Sequence, residues 1–196
     1  MTRWAMATLS ALWAKADRAR RVARRPIRLR PLGPRDARAF LAVVSDSDTI
    51  RNAATLPMRP DLAWARARLA ERLGRDPAIH REFAVMAGRR MVGHALYFLN
   101  LRDEREIGYS IHPDYRGHGL ASRVVPLLLA ELQAATGHSG PVTALYAQDN
   151  PASGRVLEKA GFRITGAHAA PSLGRGNELV PLWRAEIVLP AQPDQL

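Results

Sequence analysis

Six residues near the middle of the chain, Arg116-Gly117-His118-Gly119-Leu120-Ala121, constrain the fold more than any others. They join an alternating segment, Glu106 to His112, that reads as a strand to a long apolar segment beginning near Leu120 that reads as a helix. A glycine-rich turn between a strand and a helix is a cradle for an anion. Without Cβ atoms at Gly117 and Gly119 the backbone can approach a ligand closely, and the free N–H groups of the first helical turn point at it, aided by the helix dipole. A cofactor carrying phosphates is the first expectation.

Several families share such turns, and the neighbouring residues sort them. The P-loop requires Lys followed by Ser or Thr after its second glycine, where this chain has Leu120-Ala121. The dinucleotide fingerprint asks for a third small residue, a place Ser122 takes, and for an acid about 20 residues on, where Val142 to Leu145 holds no carboxylate. Arg116, Gly119 and Ala121 instead resemble the acyl-CoA-binding signature of the GNAT superfamily of N-acetyltransferases, Gln/Arg-x-x-Gly-x-Gly/Ala. Downstream, the stretch from Asp149-Asn150-Pro151-Ala152-Ser153 to Gly161-Phe162 resembles the second landmark of that superfamily, an Asn-x-x-Ser helix ending in Gly-Phe. Upstream, Glu106 to Gly117 is similar to the branch of ribosomal-protein N-terminal acetyltransferases, and the likeness extends from about Ile27 to Trp183.

The resemblance implies a mixed α/β, or α+β, fold: a mostly antiparallel twisted sheet of about six to seven strands with one splayed parallel pair, flanked by about four helices. It implies acetyl-CoA as co-substrate, lying between the splayed strands and giving its acetyl group directly to a primary amine. Gly117, His118, Gly119, Leu120, Ala121 and Ser122 would then hold the pyrophosphate together with Arg116. Backbone groups around Tyr109 to Ile111 would hold the acetyl carbonyl, and Asn150 the pantetheine arm. The acceptor expected from the ribosomal-protein branch is a protein N-terminal α-amine. A small-molecule amine, such as an antibiotic or polyamine, is the second reading, and a non-catalytic acyl-CoA-binding or RNA-associated accessory protein a third.

Each of these residues also has a plainer role. Asn150 before Pro151 is what a helix N-cap looks like, since Asn accepts from first-turn N–H groups and Pro suits the first helical position. Ser153 falls in the same first turn; the functional reading makes its hydroxyl the donor to the departing thiolate. Many members of the resembling superfamily use a tyrosine about seven residues after the Asn for that task, and here the place is Leu157. Glu106 is either the base that deprotonates the amine or a solvated carboxylate closing the loop before it. Arg116 either meets the pyrophosphate or caps the turn, His118 offers its backbone N–H, and Ser122 bonds phosphate or simply begins the helix. Asp46 and Asp48 stand where a cationic acceptor could be drawn in. His80, His94 and His112 show no metal-ligand spacing, so no metal site is expected.

Composition narrows the class further. The 196 residues, 47% of them hydrophobic, suffice for one domain with a substantial core, and the absence of cysteine removes disulfides and thiolate chemistry and suits a reducing cytoplasm. The net charge of +11 is uneven: residues 1–30 carry nine basic side chains against one acid, while the rest of the chain carries 20 against 17. The division expected is a basic extension over 1–25, a catalytic domain over 26–190 and a short tail over 191–196. Trp4, Leu9, Leu12 and Trp13 precede an arginine cluster, so the extension reads as a basic amphipathic helix that rests on a membrane or RNA, or as a solvated or loosely docked appendage. No specific nucleic-acid partner is expected, since no aromatic-basic interleaving appears. The assembly is expected to be a monomer or homodimer.

Periodicity supplies the remaining elements. Ile27 to Arg30 alternates like a first strand, a helix runs from Gly33-Pro34 to about Val44, and Ser45 to Pro60 reads as turns. A helix over Asp61 to Leu73, which in the resembling family walls the acceptor site, precedes strands Phe83 to Ala87 and Met91 to Leu99 around a Gly88-Arg89 turn. Pro126 should kink the long helix, Val142 to Ala147 should lie parallel to the strand before the cradle, and Phe162 to Ala167 and Leu179 to Val188 should complete the sheet.

Overall fold

The computed structural model describes residues 3–191. Side chains of residues 3–12, and with them the apolar positions Trp4, Leu9 and Leu12, lie outside the described part, as do residues 192–196. Seven strands form one sheet: β1 (Ile27–Pro31), β2 (His80–Ala87), β3 (Arg90–Leu99), β4 (Arg105–Ile111), β5 (Gly140–Ala147), β6 (Arg163–Ser172) and β7 (Glu178–Leu189). Their order is β1-β2-β3-β4-β5-β7-β6, antiparallel throughout except between β4 and β5. That parallel pair is joined only at Arg105 opposite Val142 and Glu106 opposite Thr143. Beyond Thr143 the strands part, and a seam opens toward the C-terminal end of β4.

Helices cover both faces. On one lie α5 (Leu120–Thr136), α6 (Pro151–Lys159) and the end of α1 (Arg3–Ala23); on the other lie α2 (Ala37–Val44) and α4 (Leu62–Leu73), with the short α3 (Ser47–Asn52) following α2. Strand alternation assigns the side chains to faces. Ile107 and Ile111 join the core beneath α5, whereas Ser110 pairs with His94, which pairs with Ala84 in the second core under α2 and α4. By parity Glu106 therefore shares the α4 side, and Tyr109 the α5–α6 side.

Six helices are present among the described residues, where about four were expected. One addition is α3, inside the stretch read as turns: Asp46 caps it, accepting from the Thr49 N–H at 3.3 Å, which lets a six-residue helix form where composition suggested none. The other is α1, read as a solvated or loosely docked extension; its last turns dock on the core while its described residues 13–18 are exposed. Ala19, Val22 and Ala23 recur at helical spacing and are buried, and Arg123 of α5 donates to the carbonyls of Ala23 (2.6 Å) and Arg25 (2.7 Å), satisfying the end of that helix. The small apolar stripe 19-22-23 is a weaker signal than the Trp-Leu run before it. Helix α5 continues through Pro126, whose ring lies on the exposed side, and β6 runs five residues beyond the predicted Ala167 because β7 pairs with it to Ser172.

Candidate active site

The cradle has the backbone its sequence calls for. Gly117 and Gly119 take φ of 75° and 71°, left-handed values costly for any residue with a Cβ, and the space above both is open. Gly119 is the N-cap of α5 and no side chain caps it; among the described residues no bond takes the N–H groups of Gly117, His118 or Gly119. Leu120 is buried and roots the helix start in the core, leaving its N–H at the surface of the turn as the part that could serve an anion. Ala121 and Ser122 are half-buried in the same first turn, and His118 is half-buried in the loop. An open ring of unpaired donors at a helix N-terminus fits a diphosphate.

Arg116 has other employment. Its Nε donates to the Ile111 carbonyl at 3.0 Å; Nη2 donates to Asp46 Oδ2 at 2.7 Å and Thr49 Oγ1 at 2.6 Å, and Nη1 to Asp48 Oδ2 at 3.3 Å. The guanidinium fastens α3 to the end of β4, and Asp46 and Asp48, read as lures for a cationic acceptor, already hold a cation. Burial works to raise the Asp46 carboxyl, but the Arg116 and Thr49 hydrogen bonds prevail and hold it below the usual range. A second clamp closes on the other end of α3. Asp149, immediately before Asn150, accepts from Arg51 at 2.7 Å and from Arg175 at 2.9 and 3.0 Å, and Arg175 also donates to the Arg51 carbonyl. Gly174 lies against the Ile50 carbonyl so closely that a Cβ would stand 2.2 Å from its oxygen. Helix α3 is thus a spar between the cradle turn and the start of α6, the two walls of the seam.

At the start of α6, Asn150 Oδ1 accepts from the Ser153 N–H at 3.3 Å, so the capping role is filled. Its Nδ2 makes no bond among the described residues, which leaves an amide donor for a ligand. Ser153 Oγ lies 2.9 Å from the Tyr109 hydroxyl. This contact, between a strand and a helix 44 residues apart, crosses the seam at its open end. Burial, partly offset by the Ser153 bond, pushes the Tyr109 hydroxyl up to about 12, so it holds its proton at neutral pH. Leu157 is 2% exposed and packs in the core. The period-two alternation of β4 placed Tyr109 on the α6 side, but only tertiary structure shows that Ser153 meets it there.

On the opposite face Glu106 is half-buried where β4 and β5 still pair. Burial raises its carboxyl, the Asn100 amide at 3.1 Å opposes this and Glu104 adds to it, with a net upward shift. Thr143 Oγ1 donates to the Arg105 carbonyl at 3.1 Å and pins the two strands at that level. The β4 edge from Ile107 to Ile111 has no strand partner on the β5 side, so backbone groups around Tyr109 and Ile111 face the opening, apart from the Ile111 carbonyl that Arg116 takes.

A further charged cluster was missed in the sequence. Glu82, its side chain 1% exposed, accepts from Nε2 of His80 (3.1 Å) and of His94 (3.0 Å) and faces Arg72 of α4 at 3.4 Å. Burial alone would raise this carboxyl, but both histidines and the arginine hold it well below the usual range. The two imidazoles bond to the carboxylate and do not converge on a common point; no group of side chains among the described residues has the arrangement of a metal site. Nor is any helix among them long and apolar enough to cross a membrane.

Comparison with known proteins agrees with this geometry. The family model described as Acetyltransferase (GNAT) domain matches residues 27–163. No curated protein matches the chain in sequence. Among solved structures, a spermidine N-acetyltransferase from Vibrio cholerae in complex with CoA and spermine is similar at 16% identity and a TM-score of 0.69, covering 83% of this chain and 95% of that one. A ribosomal-protein α-N-acetyltransferase in complex with coenzyme A has 14% identity and a TM-score of 0.69, covering 85% and 96%. A putative acetyltransferase from Salmonella typhimurium with acetyl-CoA has 19% identity and a TM-score of 0.65, covering 87% and 99%. At such identities these likenesses establish the fold. The family match spans well over half the chain, and with it the chain belongs to the GNAT acetyltransferase family, as an acyltransferase whose co-substrate is acetyl-CoA.

Proposed function

We propose that this protein transfers the acetyl group of acetyl-CoA directly to a primary amine, and that the amine is a protein N-terminal α-amine. The observation that carries the chemistry is the opposed pair of side chains on β4. Glu106 stands on the α4 face, and Tyr109, bonded to Ser153, on the α6 face. A direct attack on a thioester needs a proton acceptor where the amine arrives and a hydrogen-bond donor where the sulfur leaves, on opposite sides of the acetyl carbon.

The other roles follow from what each group has free. The N–H groups of Gly117 to Ala121 hold the pyrophosphate, Asn150 Nδ2 donates to the pantetheine arm, and the free β4 edge around Tyr109 to Ile111 binds the acetyl carbonyl. Arg116 positions the turn through α3. As the amine nitrogen bonds the acetyl carbon and the C–S bond breaks, Glu106 takes the amine proton, and the sulfur leaves as a thiolate that accepts a hydrogen bond from the Ser153 hydroxyl. Tyr109, protonated at neutral pH, keeps its proton and donates a hydrogen bond to Ser153 Oγ, which polarises the serine O–H. A thiol of pKa near 8.5 leaves with only this modest help.

Two features favour the α-amine. With a pKa near 8 it is partly neutral at pH 7, whereas a lysine amine near 10.4 is almost wholly charged and must lose a proton before it can attack. The acids that would attract a polyamine, Asp46 and Asp48, are bonded to Arg116. A chain without cysteine and with this activity belongs in the cytoplasm. Thiol release from acetyl-CoA, measured with N-terminal peptides, lysine peptides, polyamines and small amines, tests the reading. The highest kcat/KM is expected for N-terminal peptides. A clear preference for a polyamine overturns the acceptor, and cofactor binding without release to any amine overturns catalysis.

A further inference from the structure

A cavity of about 710 Å³ lies between the end of α1, α2, the β2–β3 turn and the 3₁₀ turn Pro113–Tyr115 that leads into the cradle. Four arginines are among its lining: Arg18 and Arg25 from α1 and the residues after it, and Arg89 and Arg90 from the hairpin turn. Its one acid, Asp114, is already paired with Lys15 at 2.8 Å. Arg90 reaches only the Tyr115 hydroxyl, at 3.3 Å, and among the described residues Arg18 and Arg89 bond to nothing. All four side chains are exposed, so water screens their repulsion, but together they set a positive potential over the concavity that draws an anion in. The floor is apolar, with Val22 and Met91 among its lining.

The cavity is shared between the matched domain, which supplies Arg89, Arg90 and Tyr115, and the segment before it. Arg18, Val22 and Arg25 precede residue 27, where the family match begins. They are held in place by the burial of Ala19, Val22 and Ala23 and by the Arg123 bonds to the end of α1.

We propose that the cavity is a second anion site, for a phosphate monoester carried on an apolar or aromatic body. Planar guanidinium forks match phosphate oxygens in pairs, and the apolar floor suits a base or similar ring. The volume falls within the range of small-molecule pockets. A concavity closed by a helix on one side and a turn on the other suits a small ligand better than a polymer, whose phosphates need a continuous groove. The phosphate has two possible sources, because the Pro113–Tyr115 wall runs directly into the cradle: the 3′-phosphate end of coenzyme A, or a separate mononucleotide.

Calorimetry on the full chain, with AMP as probe, tests this whether or not acetyl transfer is the activity. The variant is Arg18→Ala/Arg89→Ala, which removes no hydrogen bond among the described residues, and its unfolding midpoint should match that of the parent. If the source is separate, AMP binds the CoA-saturated chain, and the variant weakens this by about tenfold or more with acetyl-CoA affinity unchanged. If the source is the cofactor, CoA displaces AMP, and the variant narrows the affinity gap between acetyl-CoA and dephospho-acetyl-CoA by a similar factor. The proposal is overturned if AMP fails to bind with the gap unaltered, or if AMP binding survives in the variant. It is likewise overturned if single-stranded RNA binds with the salt dependence of several phosphates while AMP does not, which would make the surface a nucleic-acid site.

Discussion

Two polar clusters in this molecule are built on opposite terms. Under α4, Glu82 has both carboxylate oxygens occupied by histidines and an arginine nearby, all within a core of apolar side chains. Along the seam, Tyr109, Ser153 and Asn150 form a short neutral chain whose donors are only partly used, beside a strand edge with no partner and a glycine turn with free N–H groups. The first cluster is closed and charged, and the second is open and neutral. A closed charged network is costly to assemble and more costly to break, so it fixes the geometry of β2, β3 and α4. An open one retains bonding capacity that water or a ligand can take up. Rigidity and free hydrogen-bonding capacity thus lie in separate places, joined through β3 and β4.

Breaking the closed cluster should produce the largest effect on stability. Glu82→Ala leaves the Arg72 guanidinium without its carboxylate and is expected to cost about 3–5 kcal/mol in urea denaturation, while the folded fraction binds acetyl-CoA as before. The pH dependence has a definite sign. Because the folded Glu82 carboxyl lies below its unfolded value, its contribution is fully present above the unfolded pKa and is lost as pH falls through the folded one. The gap between parent and variant should therefore shrink in acid. If Glu82→Ala abolished turnover at undiminished stability, the division between the two regions would fail.

The two clusters were also unequally legible in the sequence. The seam announces itself because its parts are backbone features with local signatures: Gly117 and Gly119 for positive φ, Asn150-Pro151 for a helix start, and alternation for β4. The charged cluster has no such signature. His80 and Glu82 are neighbours on one strand, but His94 joins them only through the β2–β3 register and Arg72 through the packing of α4. Helix α3 was obscured for a related reason. Six residues, all but Ile50 charged or polar, carry no periodic apolar stripe, and what holds them is Arg116 and Arg175, at separations of 67 to 124 residues. The docking of α1 was veiled by small residues, since Ala19 and Ala23 bury little area each and read as helix formers.

Glu106→Gln sharpens the contrast from the open side. It keeps the shape and a carbonyl for the Asn100 amide while removing the proton acceptor, and kcat/KM for an N-terminal peptide should fall by about a hundredfold. Stability should move the other way from Glu82→Ala. A carboxyl raised by burial favours folding below its unfolded pKa and loses that contribution as pH rises through the folded value, so at neutral pH the charged Glu106 is a burden. The glutamine variant should be as stable as the parent at pH 7, or more so. An unchanged rate would return Glu106 to the role of a loop carboxylate.

The smallest effect expected is at Tyr109→Phe, and it separates a relay from a strut. The phenol hydroxyl bonds Ser153 and no charged group, and a thiolate leaving group needs little help, so kcat should drop by only about fivefold with KM for acetyl-CoA unchanged. Ser153→Ala should cost somewhat more, and the double variant no more than Ser153→Ala alone, because Tyr109 acts through the serine. Single effects that simply multiply would mean that the two hydroxyls serve the reaction independently. A fall in unfolding midpoint equal to that of Glu82→Ala would instead make the Tyr109–Ser153 bridge a structural tie across the seam, and the open region would then share the character of the closed one.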